Sequence, residues 1–139
     1  MALICDTGVL YAAIDRRDTA HERCASLLTE TAERIAVPAP VLVELDWLVA
    51  SKLGPGRFDV FLEDIALGEI DIVDLKRPDY VRIRELSHAY QDLPLGFVDA
   101  AVVALAERLG EPKLASLDRR HLGVVRPRHA STFELLPAR

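Results

Sequence analysis

The sequence predicts a three-layer α/β/α sandwich with a mostly parallel central sheet, formed by residues 1–139 as a single domain. Short apolar runs bounded by turn residues alternate with longer segments of helical spacing, the pattern of successive βαβ units. At 139 residues the chain suits one domain, which at this size buries about two-thirds of its unfolded surface. Half of the residues are hydrophobic and the mean hydropathy is +0.15, which argues for a substantial core and against disorder.

Taken in order, ALIC (2–5) reads as a buried strand ended by Asp6, with Thr7 the expected N-cap of an apolar helix over 8–14. The turn DRRD (15–18) leads to a helix in which Ala20, Cys24, Leu27, Leu28 and Thr31 keep helical spacing. RIAVPAP (34–40) gives the next strand, and Pro40 suits the first turn of the helix behind it. GPG (54–56) breaks that helix, and Phe58, Phe61, Leu62 and Ile65 make the apolar face of another. EIDIVDL (69–75) alternates apolar and acidic residues, as a half-buried edge strand does. Pro78 opens a helix with Tyr80, Ile83, Leu86 or Ser87, and Tyr90 on one side. The loop LPLG (93–96) precedes a strongly apolar helix over 97–109, with Gly110 placed as its C-cap. KLASLD (113–118) is a further buried strand ending in an aspartate, and residues 123–137 return one or two short strands.

Cys5 and Cys24 lie in apolar stretches and are expected as reduced core residues of a cytoplasmic protein, since a core of this size needs no disulfide. No pattern of a secretory leader is evident, and no run reaches the ~18 apolar residues of a membrane span.

Most of the 22 acidic residues keep polar company, but four do not. Glu44 sits inside VLVELDWLVA (41–50), where an isolated carboxylate is costly unless something compensates it. Asp6 and Asp118 each end a predicted strand, and Asp99, in GFVDAAVVA, opens an apolar helix. In an open parallel sheet, strand carboxyl ends and the helix starts that follow them share the edge where ligands bind. Each residue alone has a plainer reading, as a helix cap, a paired core glutamate, a first-turn carboxylate or a surface ion pair. Four such acids at one predicted edge point instead to a site. Helix N-termini cannot offset four negative charges there, whereas a hard divalent cation with oxygen ligands can. Mg²⁺, for which Mn²⁺ substitutes, fits because it takes a few carboxylates, keeps waters and favours phosphate substrates. Thr7 and Ser116 are candidates for supporting hydroxyls, with capping and core packing as their plainer roles. No Ser/His/Asp or Cys/His arrangement is present, and His21, His88, His121 and His129 lack a ligand-like mutual spacing. They are read as surface or core residues, with His121, the one close in sequence to Asp118, also a candidate contact to RNA.

ICDTGVLYAAID, VLVELDWLV, LPLGFVDAAVVALAERLG and LASLDRRHL resemble the four acidic motifs of the PIN-domain nucleases. GFVDA and LDRRH are similar in particular to the VapC toxins of prokaryotic toxin–antitoxin pairs. The resemblance runs from Asp6 to about Pro137. It implies a metal-dependent endoribonuclease with Asp6, Glu44, Asp99 and Asp118 at the catalytic, metal-binding positions. It also implies a homodimer and a cognate VapB-type antitoxin that blocks the site. Asp118 is expected to contact the metal indirectly in part of such a family. The rival readings are a receiver- or phosphatase-like phosphoryl-transfer domain and a non-catalytic RNA-binding module of the same fold. The phosphatase version wants an aspartate two residues after the first, where this chain has Gly8, and a receiver wants a late lysine at the site, whereas Lys113 starts its strand.

The net charge of −5 hides an asymmetry. Residues 119–139 carry five arginines against Glu134, a balance of +4, leaving 12 basic and 21 acidic side chains elsewhere, a balance of −9. Arg119 and Arg120 directly follow Asp118 and are expected to contact RNA phosphates, while Arg139 is expected as solvated surface.

Overall fold

The computed structural model describes residues 1–138; Arg139 lies outside the described residues. The elements run β1 (Ala2–Cys5), α1 (Thr7–Ile14), α2 (His21–Glu30), β2 (Arg34–Pro38), α3 (Ala39–Leu53) and α4 (Asp59–Ala66). They continue with β3 (Ile70–Val73), α5 (Arg77–Ala89), α6 (Phe97–Leu109), β4 (Lys113–Ala115) and β5 (Glu134–Leu136). The strands pair in the order β3-β2-β1-β4-β5, every pair parallel. The chain therefore walks outward from β1 to β3, then crosses back to β4 on the other side of β1. Right-handed crossovers send α1 to α4 to one face and α5 and α6 to the other. Packing follows this division, with α1 against α2 and α3, α5 against α6, and α6 against β1 and β2. The reversal leaves a switch point between β1 and β4, whose carboxyl ends flank the crevice that such sheets use for ligands.

The core explains these elements locally. Leu3, Ile4 and Cys5 of β1, Val37 of β2 and Leu114 and Ala115 of β4 are buried, as expected of strands covered on both faces. Burial pushes the Cys5 thiol well above its ordinary range, so Cys5 is a packing residue. Every residue from Ala100 to Ala106 is buried, which is why α6 is apolar all round rather than along one stripe. It closes at Gly110, whose φ of 69° is a left-handed C-cap conformation that a residue with a Cβ resists.

Three local expectations are corrected. Asp6, with extended backbone, is the N-cap of α1, and Thr7 is already its first helical residue. Leu62 faces outward, while Phe61 is buried and Phe58 and Ile65 pack against the core. On α5 it is Asp79, not Tyr80, that joins Ile83 and Leu86 inside. This carboxylate tolerates burial because it accepts from Lys76 N at 2.8 Å and from Arg108 Nε at 3.1 Å on both oxygens.

Candidate functional site

The switch point between β1 and β4 gathers the acids that sequence reading singled out. The backbone N–H of Asp6 donates to Ala115 O at 2.9 Å, clamping this residue where the two strands end. The residue is only 7% exposed. Oδ1 accepts from Thr7 N at 2.8 Å, and Oδ2 accepts from the Ser116 hydroxyl at 3.1 Å. Ser116 Oγ in turn accepts from Asp118 N at 3.0 Å, so one fully buried hydroxyl links the acids that follow β1 and β4. Thr7 supports Asp6 through its backbone; its own hydroxyl is buried and has no hydrogen-bond partner among the described residues.

Asp99 lies in the first turn of α6, and Asp118 just beyond β4; both are half-buried. Glu44 lies outside the stripe that α3 buries through Val41, Leu45 and Val49, at four-residue intervals. It is exposed, so the expectation of a carboxylate enclosed by apolar neighbours is corrected. Water offsets much of its charge, although that charge still acts on Asp6 and Asp99.

The electrostatics show the crowding. Burial raises the Asp6 carboxyl to about 6, opposed by the Thr7 hydrogen bond, reinforced by Asp99, opposed again by Ser116 and reinforced by Glu44. Burial also raises Asp99, and the Asp118 and Glu44 charges add to the effect, while His121 and a Gly96 backbone hydrogen bond oppose it. Lysine and arginine are absent from the leading influences on either group. Asp99, Asp118 and His121 each bring one potential ligand atom, and these atoms lie within 4.8 Å of one another. Hard oxygen donors that repel one another, with neither lysine nor arginine among the leading influences on Asp6 and Asp99, suit a divalent cation.

His121 is the residue sequence reading undervalued. The available signal was the Asp-x-x-His spacing, which one turn brings to the same side. Its backbone N donates to Asp118 Oδ1 at 2.9 Å, and its Nδ1 lies 3.1 and 2.9 Å from the two carboxylate oxygens. Gly123 completes this turn, because a Cβ there would come within 2.4 Å of Arg119 O. The two arginines diverge. Arg119 turns away to donate to Pro137 O at 2.9 Å, while Arg120 is exposed.

One concavity borders the site at Glu44, and another lies apart from the acidic cluster. Val43, Glu44 and Trp47 of α3, Tyr80 of α5 and Phe97 and Val98 of α6 line a largely apolar hollow beside Glu44. A second cleft, of about 1150 Å³, opens between α2 and α4, with Leu28, Val60, Phe61 and Leu67 among its walls and Arg16, Arg17 and Arg57 at its rim.

The chain is 30% identical over 135 residues to Ribonuclease VapC26 of Mycobacterium tuberculosis, covering 97% of this chain and all of that protein. Its fold matches the crystal structure of VapC20 of Mycobacterium tuberculosis, described as a sarcin-ricin loop cleaving toxin, with a TM-score of 0.75. That match has 20% identity over 84% of this chain and 89% of the other. VapBC2 of Rickettsia felis, solved bound to a DNA fragment from its promoter, matches with a TM-score of 0.70 at 20% identity over 97% and 98% of the two chains. The PIN domain family matches residues 3–126, on the sheet and acidic edge described above, and the chain belongs to that family.

Proposed function

We propose that this chain is a Mg²⁺-dependent endoribonuclease toxin of the VapC type, a single PIN domain acting on cellular RNA in the cytoplasm and neutralised by a VapB-type antitoxin. The observation that carries the reading is the carboxylate cluster at the β1/β4 switch point, where Asp99 and Glu44 raise Asp6, Asp118 and Glu44 raise Asp99, and neither lysine nor arginine is among the leading influences. Asp6, Glu44, Asp99 and Asp118 would hold the cation, and the Thr7 hydroxyl, without a hydrogen-bond partner among the described residues, is one further buried oxygen on the residue next to Asp6. When bound, such a cation neutralises charge developing on the phosphodiester and lowers the pKa of an attacking water. Ser116 fixes the Asp6 carboxylate, and Glu44, at the solvent-facing side, completes the negative charge. Arg120 contacts phosphates flanking the scissile bond, orienting RNA without reading its sequence.

Exposed apolar side chains support the partners. Val43 and Trp47 on α3 are 72% and 68% exposed, one turn apart, and with Tyr80 and Phe97 form a face suited to a second copy of the chain. The cleft between α2 and α4 suits an amphipathic antitoxin segment, and a basic residue of that segment entering the acidic cluster would inhibit it. The test is cleavage of total RNA by the purified chain with Mg²⁺ or Mn²⁺, followed by sequencing of the new 5′ ends. Cleavage that persists in excess EDTA would reject the metal-dependent reading.

A further inference from the structure

Asp118 differs from Asp6 in how it is held. Asp6 is fixed by the sheet and a buried hydroxyl, whereas Asp118 lies in a turn beyond β4, half-exposed, where a short side chain has several rotamers open to it. Three groups restrain it. Ser116 Oγ accepts from its backbone N–H, while His121 reaches the carboxylate twice, its backbone N at 2.9 Å from Oδ1 and its ring Nδ1 at 2.9 Å from Oδ2 and 3.1 Å from Oδ1. An ionised carboxylate has no proton to give, so Nδ1 carries the hydrogen of this contact. The plain alternative is that Asp118 only caps the turn through His121 N and Leu122 N, the latter donating to Asp118 O at 3.1 Å. That capping needs no imidazole. The ring adds a second donor that spans both carboxylate oxygens and lies nearer Oδ2, which restrains rotation of the carboxylate plane and keeps Asp118 within 4.8 Å of the ligand atom of Asp99.

We propose that His121 is a positioning residue: its Nδ1–H holds the Asp118 carboxylate in the orientation that faces Asp99, and so sets how tightly the site takes a divalent cation. The inference rests on reading Asp6, Glu44, Asp99 and Asp118 as the cation site. Donors that orient a metal-binding carboxylate typically change metal affinity about 10–100-fold when removed.

The test is Mn²⁺ titration of the metal-free protein followed by electron paramagnetic resonance, which needs no catalysis, with thermal unfolding in EDTA as the folding control. The variants are His121→Asn, whose amide nitrogen takes the place of Nδ1, His121→Gln, whose amide reaches the place of Nε2, and His121→Phe, which keeps only the ring. The expected result is Mn²⁺ affinity within about twofold of wild type for His121→Asn and at least about tenfold weaker for His121→Gln and His121→Phe. If His121→Phe does not fold, His121→Asn binding more tightly than His121→Gln supports the proposal by itself. Equal affinity in wild type and His121→Phe overturns it, as does His121→Gln binding as well as His121→Asn. Wild-type protein that binds Mn²⁺ no better than Asp99→Asn overturns the reading of the site, and this inference with it.

Discussion

Helix α6 carries a carboxylate near each end, and the two are treated in opposite ways. Glu107, in the last turns, accepts from Arg82 Nε at 2.7 Å and Nη2 at 2.9 Å, and from Arg128 N at 2.8 Å. Burial alone would raise its carboxyl, yet these donors hold it below its ordinary value. Arg82 and Arg128 also meet Glu85, so α5, α6 and the 126–128 loop are tied by one network, beside which Arg108 grips Asp79. Asp99, two turns earlier on the same helix, is raised, with acids as its neighbours and one imidazole in opposition. A carboxylate thus serves structure where arginine meets it, and at the switch point is left with only an imidazole and a backbone hydrogen bond against the charges of its neighbours. That difference marks a site more sharply than the number of acids does.

The largest expected effect separates the two ends of α6 by activity. Asp99→Asn should lower metal-dependent RNA cleavage on the order of a thousandfold or more, because several kcal/mol of charge stabilisation are lost with the cation. Glu107→Gln should leave cleavage by the folded protein within a few-fold of wild type. A gel assay on matched RNA, with circular dichroism to confirm folding, compares them. Comparable losses from both substitutions would break the contrast.

Next comes stability. Arg82→Ala strands the largely buried Glu107 charge and should cost roughly 3–4 kcal/mol in urea unfolding at pH 7. Asp6→Asn should do the reverse in metal-free protein, raising stability by up to roughly 3 kcal/mol, the scale of a carboxyl moved from 3.8 to about 6. Destabilisation of metal-free protein by Asp6→Asn would show that its hydrogen bonds outweigh the repulsion.

The pH dependence refines this. The folded pKa of Asp6 lies above its ordinary value, so folding favours the neutral form. Its contribution is fully present below about 3.8 and is lost as pH rises through about 6. In EDTA, the stability of wild type relative to Asp6→Asn should therefore fall between pH 4 and pH 7, mostly below pH 6. Added Mg²⁺ should reverse that fall, since an ion binding the folded state stabilises it. A difference flat across this range would contradict the raised value.

The smallest effect concerns the arginines after Asp118. Arg120→Ala should weaken RNA binding similarly for all sequences and reduce the slope of log affinity against log salt by about one unit. Arg119→Ala should leave that slope unchanged and act on stability, because its guanidinium is committed to the Pro137 carbonyl. Filter binding across a salt series distinguishes them, and equal slopes for both variants would restore Arg119 as a phosphate contact.

The sequence by itself determined the element order, the parallel α/β architecture and the edge where the acids gather. Its signals were local: apolar runs in β1 and β4, continuous apolarity through α6, Pro40 opening α3 and Gly110 closing α6. Such features act through backbone preference and periodicity, which a chain displays before it folds. Tertiary structure decided what individual side chains meet. Glu44 lies within an apolar run yet outside the buried stripe of α3, Leu62 turns outward, and Asp79 goes inward because Arg108, 29 residues away, receives it. Arg119 and Arg120 are neighbours with the same charge, and only the return of the chain at Pro137 engages one of them. His121 joined the cluster through the turn that Gly123 permits. Pairing energy between charges depends on separation and burial in three dimensions, and neither quantity is written in the spacing of residues along the chain.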